Sequence, residues 1–246
     1  MAQEFNIYHL YHSGVVVEAG ARLFIFDYYR DRRKEKINEI FPKFEEYNKI
    51  YVFASHGHPD HFHDQIFNWI EINSSIEYIL SSDIGAVRDS LRIRKMGPDK
   101  VINIGEIEVK TLGSTDQGVS FLVQTEEFNM FHSGDLNWWH WESFSREELK
   151  KEEQDYKNEV DKLQGRELKI AFVPVDPRLG EYYYLAGEYF AQTIKPEILV
   201  PLHFGDEYDI TDRFKEKISD LPVMVTEIGP EERLIYTGQA GDESGE

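Results

Sequence analysis

Four side chains able to bind a metal ion fall within six positions of this sequence: His56, His58, Asp60 and His61, in Ser55-His56-Gly57-His58-Pro59-Asp60-His61-Phe62. Neutral imidazole and carboxylate are the donors that Zn²⁺, Mn²⁺ or Fe²⁺ take. Alternate side chains of an extended segment share a side, which puts His56 and His58 together. Gly57 lets the backbone bend closely around an ion, and Pro59 stiffens the turn that brings Asp60 and His61 round. A solvated histidine-rich loop that collects stray metal is the blander reading, but four potential ligands at the end of an apolar run is a demanding coincidence. The chain has no cysteine, so any ion must be held by nitrogen and oxygen, and disulfides are excluded. An ion in such a set lowers the pKa of a bound water to about 7, which makes hydroxide available for attack on a carbonyl or phosphoryl centre. No G-x-S-x-G motif argues for a serine nucleophile instead.

These residues need a rigid frame, and the sequence around them supplies strands. FNIYHLY, GVVVEA and ARLFIFD are short runs rich in β-branched and aromatic residues, divided by Ser13-Gly14 and Gly20. Residues 34–47 carry Ile37, Ile40, Phe41 and Phe44 at helical spacing. KIYVFAS then reads as a strand buried on both faces, and it ends at the histidine loop. QIFNWI and IGAVRDSLRI read as helices around a strand, IEYILSS, and four strands follow between 100 and 134 in a tight antiparallel group. Ser-Arg-Glu-Glu from Ser145 has the form of a capping box and opens a charged surface helix. KIAFVPV, YLAGEYFAQTI, EILVPL and TDRFKEKIS alternate strand and helix, and VMVTEI and RLIYT close the chain as strands. Pattern alone therefore predicts an α/β protein with much antiparallel sheet. No linker or internal period divides it, so one domain over 1–237 with a polar, flexible tail over 238–246 is expected.

The motif His56-x-His58-x-Asp60-His61 resembles the signature of the metallo-β-lactamase superfamily. Downstream, Phe131-His132-Ser133-Gly134-Asp135 is similar to that family's strand-end Gly-Asp, and Pro201-Leu202-His203-Phe204-Gly205 to its final metal-binding histidine. Upstream, Tyr11-His12-Ser13-Gly14 and Phe24-Ile25-Phe26-Asp27 resemble its opening hairpin. The resemblance spans the chain from about Tyr8 to Gly205 and is nearest to the branch containing L-ascorbate-6-phosphate lactonase. It implies two mixed β-sheets in a four-layer αββα sandwich. It also implies metal ligands at His56, His58, Asp60, His61, Asp135 and His203, with Asp60 as the residue that holds and shuttles the proton.

One departure stands out. The family's third histidine of the first metal site is missing from Gly113-Ser114-Thr115-Asp116-Gln117-Gly118. With Gly118 aligned to the family's glycine, Thr115 or Asp116 occupies its place. Asp116 as an oxygen ligand would complete a two-ion centre; otherwise one ion binds, at Asp60, His61, Asp135 and His203. Further candidates lie nearby. Trp138, in Asn137-Trp138-Trp139-His140-Trp141, could wall a substrate site or merely cap the core. Asp176 follows a predicted parallel strand and could orient a ligand histidine, while Arg178 could grip a substrate carboxylate or phosphate. His12 could line the site. His9, His63 and Tyr182 to Tyr184 read as packing.

The charge balance, 46 acidic against 27 basic residues for a formal −19, opposes binding to phosphate backbones. The amino-terminal stretch lacks the features of a signal peptide, and no apolar run is long enough to span a bilayer. The expectation is a cytoplasmic hydrolase of a small ester, lactone or phosphoester, using metal-activated hydroxide. Its cofactor is one or two divalent ions, zinc first and manganese or iron otherwise. Its partner is a small molecule rather than nucleic acid or membrane, and self-association into a homo-oligomer stays open. A nuclease of the same fold and a non-catalytic metal-binding protein are the competing readings.

Overall fold

The computed structural model describes residues 3–30, 34–85 and 92–240. The chain resolves into two compact units, one formed by Met1–Met96 with Glu231–Glu246 and the other by Gly97–Pro230.

The first unit is built on a seven-stranded mixed sheet in the order β14-β1-β2-β3-β4-β5-β6. Its strands are β1 (Glu4–Tyr11), β2 (Gly14–Ala19), β3 (Arg22–Phe26), β4 (Lys49–Ala54), β5 (Ile76–Ser81), β6 (Ile93–Met96) and β14 (Leu234–Gln239). The β14-β1-β2-β3 edge is antiparallel and β3 to β6 run parallel. Register sets Phe26 opposite Phe53, so the strands leading to Asp27 and to the histidine loop finish side by side. Leu23, Ile25, Ile50, Val52, Ile76 and Trp69 belong to the apolar core on this sheet.

The helix expected over 34–47 is a single turn, α1 (Ile37–Ile40), followed by a 3₁₀ turn at Phe44–Glu46. Pro42 is the physical reason. It has no N–H to donate and biases the preceding residue toward extended backbone, and Phe41 sits at φ −119°, ψ 86°. QIFNWI is helical, within a 3₁₀ segment at Asp64–Glu71. The helix expected over IGAVRDSLRI falls largely on residues 86–91, outside the described residues, and its last residue, Ile93, opens β6. β14 runs to Gln239 and pairs it with Glu4, two residues into the stretch read as tail.

The second unit has its own seven-stranded mixed sheet, in the order β13-β12-β11-β10-β9-β8-β7. Here β7 (Val101–Ile104), β8 (Ile107–Leu112), β9 (Ser120–Gln124) and β10 (Asn129–His132) are antiparallel, as the sequence suggests. From β10 the sheet turns parallel through β11 (Ile170–Pro174), β12 (Ile198–Leu202) and the short β13 (Met224–Val225). The helices are α2 (Arg146–Asp161), α3 (Leu185–Thr193) and α4 (Asp209–Lys217). Ser145 caps α2 as its sequence predicts, accepting from the Glu148 N–H at 3.3 Å while its own N–H donates to Glu148 Oε2 at 2.7 Å. β11 and β12 are buried throughout, as parallel strands covered on both faces should be.

No helix among the described residues is long and apolar enough to cross a membrane. Two mixed sheets with flanking helices are what the resemblance implies, within the α/β class that the pattern predicts.

Candidate metal centre

In open sheets, chemistry gathers where parallel strands end. In both units the candidate ligands lie past such strand ends, and a buried carboxylate organises each group.

In the first unit that carboxylate is Asp27, fully buried at the end of β3 and held at φ 45°. A left-handed conformation costs a non-glycine residue roughly 1–3 kcal/mol, so the surroundings must fix it there. The Ser55 N–H donates to Asp27 Oδ1 at 2.7 Å and the Ser55 hydroxyl to Oδ2 at 2.7 Å. The His61 ring reaches Oδ2 through Nδ1 at 2.8 Å. A carboxylate only accepts, so His61 carries its proton on Nδ1 and keeps its lone pair on Nε2. The same logic passes through Ser55. Its hydroxyl hydrogen goes to Asp27, so its oxygen accepts from His56 Nδ1 at 3.0 Å. Asp27 therefore sets the tautomer of two histidines at once, and both present Nε2.

The loop's curvature has a backbone cause. The His61 and Phe62 N–H groups both donate to the His58 carbonyl, at 3.1 and 3.0 Å. That turn swings His61 back to His56, with ring centroids 4.1 Å apart, and His58 lies 4.6 Å from His56. Gly57 does not act as expected. It has no positive φ, a side chain there would meet Asp83 at an ordinary 3.5 Å, and its N–H donates to Asp83 Oδ2. His12, at φ 56°, sets Nε2 3.6 Å from Asp60 Oδ2. One ligand atom from each of His12, Asp60 and His61 lies within 4.8 Å of the others. The Asp60 side chain is half exposed. His9 is fully buried, with Nε2 on the His12 carbonyl, and His63 caps the Gln65 N–H.

In the second unit the organising carboxylate is Asp176, buried just past β11. It receives His203 Nδ1 at 3.1 Å and grips Arg178 through Nε and Nη2 at 2.9 and 2.6 Å. Burial alone would raise the Asp176 pKa; the His203 ring and the Arg178 guanidinium hold it down at about 2. His203, at φ 67° beyond β12, is almost fully buried and brings Nε2 to 3.2 Å from Asp135 Oδ1. Burial opposes a charged ring there, but Asp135 and Asp176 outweigh it and raise the His203 pKa. The Asp135 turn rests on Gly134 at φ 53°, whose N–H donates to His132 Nδ1.

Three of the expectations are redrawn at this end. Thr115 is engaged with backbone: its hydroxyl donates to the Asn137 carbonyl at 2.6 Å and accepts from the Asn137 N–H. Asp116, by contrast, is exposed, and its carboxylate comes within 4.8 Å of that of Asp135. Arg178, expected to hold a substrate anion, has its fork on Asp176, and its guanidinium lies 5.8 Å from the Trp141 ring. Trp138 packs against Tyr156 of α2 and Tyr189 of α3 and takes Lys157 over its face. The ring that stands against His203 is the next one, Trp139, edge-on at 5.8 Å and stacked on Trp141. Asp27 and Ser55 were missed as site residues. Only the parallel pairing of β3 with β4 reveals them, although Asp27 lay in a stretch already singled out.

The donor chemistry in each unit fits a divalent transition-metal ion. His56 and His61 each have Nδ1 committed to a hydrogen-bond acceptor, which leaves the lone pair on Nε2, while His203, with Nδ1 on Asp176 and Nε2 on Asp135, would give up its Nε2 proton to an ion. Carboxylate partners behind ligand histidines are the usual support of such sites.

The chain shares its fold with solved metallo-β-lactamase-fold structures. Igni18, a metallo hydrolase from the archaeon Ignicoccus hospitalis, is 12% identical over 96% of this chain and 98% of its own, with a TM-score of 0.65. YhfI, a metallo-β-lactamase-fold protein from Bacillus subtilis, is 11% identical over 96% of this chain and 98% of its own, with a TM-score of 0.62. CmlA, a diiron β-hydroxylase from Streptomyces venezuelae, matches 97% of this chain at 10% identity and a TM-score of 0.60, and the likeness takes in 54% of its length. No family model and no curated protein matches the sequence. The likeness therefore bears on the fold, and the lactonase-like branch is supported by the motifs alone.

Proposed function

We propose that this chain is a metal-dependent hydrolase acting on a small ester, lactone or phosphoester. In this reading His56, His58, Asp60, His61, Asp116, Asp135 and His203 supply the ligands. The observation that carries it is the Asp27 relay. A buried carboxylate that fixes the tautomers of two adjacent histidines, both presenting Nε2, has little purpose in a merely solvated loop. Asp176 braces His203 through Nδ1 in the same way.

A divalent ion held there supplies Lewis acidity and brings the pKa of a bound water toward neutrality. The chain's own groups do the rest. Asp60 has an exposed carboxylate oxygen near His12 Nε2, so it can take a proton from the attacking water and return it to the leaving group. Trp139 and Trp141 give an apolar face beside His203. Among the described residues, the Asn137 amide nitrogen is buried without a hydrogen-bond partner, as is the indole nitrogen of Trp139. Such donors suit oxygen acceptors on a substrate. Zinc is the ion this set of nitrogen and oxygen donors suits first. Manganese and iron are the competitors, and iron draws support from the diiron neighbour. A cytoplasmic location and a small-molecule partner fit the cysteine-free, acidic composition.

The test is a panel of ester, lactone and phosphodiester substrates, run with and without chelator. Hydrolysis of at least one is expected, lost on chelation and restored by metal. Asp60→Asn should lower turnover of that substrate by about 10²–10⁴-fold, the usual range for a general acid–base group. An unchanged rate with unchanged metal content would remove Asp60 from the reaction.

A further inference from the structure

One cavity in the first unit has a charge opposite to that of the chain. It measures about 510 Å³ and is lined by Arg30, Lys34 and Lys36, with Glu35 as its acidic residue. Arg233 pairs with Glu35 at 2.6 Å and balances its charge. In a chain with 46 acidic and 27 basic residues, a wall of three cations is a local reversal of the field. Lys34 and Lys36 are exposed, so their ammonium groups are available to a ligand arriving from solvent.

The rest of the wall is flat and aromatic. Tyr28, Tyr29 and Trp69 all line the cavity. The Arg30 guanidinium lies over the rings of Tyr11 and Tyr29, 4.4 and 5.0 Å from their centroids, which holds its charge at the rim. Amide side chains of Asn38, Gln65 and Asn68 add hydrogen-bonding groups. The volume falls in the range of small-molecule sites, far larger than inorganic phosphate needs. Lysine binds phosphate as a point charge, and three cations match a dianion better than a carboxylate. The position is also suggestive: Tyr28 directly follows Asp27, and His63, two residues beyond His61, lines the same space.

We propose that this cavity binds a phosphate monoester with an aromatic body, the phosphate on Arg30, Lys34 and Lys36 and the ring against Tyr29. The site is separate from the metal ligands and stands whether or not the hydrolase reading holds.

Calorimetric titration of the native chain with AMP, adenosine, inorganic phosphate and benzoate tests it. AMP should bind, adenosine should not, and phosphate and benzoate should bind at least tenfold more weakly than AMP. The double variant Lys34→Glu, Lys36→Glu should weaken AMP binding at least tenfold with metal content and melting temperature unchanged. Tyr29→Ala should weaken AMP by a larger factor than phosphate, because it removes the ring's contact as well as one support of Arg30. Absence of AMP binding, or adenosine or benzoate binding as tightly as AMP, would overturn the proposal. So would undiminished AMP binding in the double variant, since it would place the nucleotide on the metal ligands or elsewhere.

Discussion

A histidine makes a dependable ligand when something behind it fixes which nitrogen carries the proton, and at this site that support comes from residues far apart in sequence. Asp116 poses the sharper question. His56 and His58 alone provide two nitrogens, fewer than the three protein ligands even an open catalytic site uses. With Thr115 tied to the backbone of Asn137, Asp116 is the residue in that loop whose carboxylate approaches Asp135. If it completes a first site, Asp116→Ala should lose one of two bound ions and keep the other, and Asp116→His should retain both. Metal analysis of the three proteins decides this; two ions retained in the alanine variant would exclude Asp116 as a ligand. At this scale the sequence was legible wherever ligands are dense. His56 to His61 declare themselves by spacing, and Asp135 and His203 by motifs that follow in order. Sequence does not separate Trp138 from Trp139, since both follow Asp135 closely and a one-residue step decides which ring meets His203.

At the scale of elements, β3 and β4 matter because their parallel register brings Asp27 and Ser55 together. No local pattern shows such a partnership, since it depends on pairing residues 28 positions apart. The helix expected over 34–47 is broken for a local reason, Pro42, which overrides the helical spacing of its apolar residues. Asp27, fully buried, ties two strand ends and two rings through hydrogen bonds. Asp27→Asn leaves buried donors facing an amide and should cost about 2–4 kcal/mol, because unsatisfied buried groups carry their full desolvation penalty. Urea unfolding of chelator-treated wild type and variant measures this without any contribution from bound metal. A midpoint shift equivalent to less than about 0.5 kcal/mol, the scatter of ordinary surface substitutions, would show that the relay is incidental.

At the scale of the molecule, the two sheets repeat one plan: antiparallel strands at one edge, parallel strands at the other, and the candidate ligands past the ends of parallel-paired strands. The alternation of strand and helix made the α/β class legible, while the short β6 and β13 were too slight to bound from sequence. Net charge is a property of the whole surface, and −19 should keep the protein off polyanions. RNA and duplex DNA should show no measurable retention at physiological salt; tight binding with a steep salt dependence would restore the nuclease reading. The central claim, that these histidines and carboxylates hold catalytic metal, is tested most directly by metal content per chain in the native protein and in His61→Ala and His203→Ala. Divalent metal should accompany the native chain, and each variant should lose most of the ion its imidazole binds. Full native stoichiometry in both variants would contradict the ligand assignment.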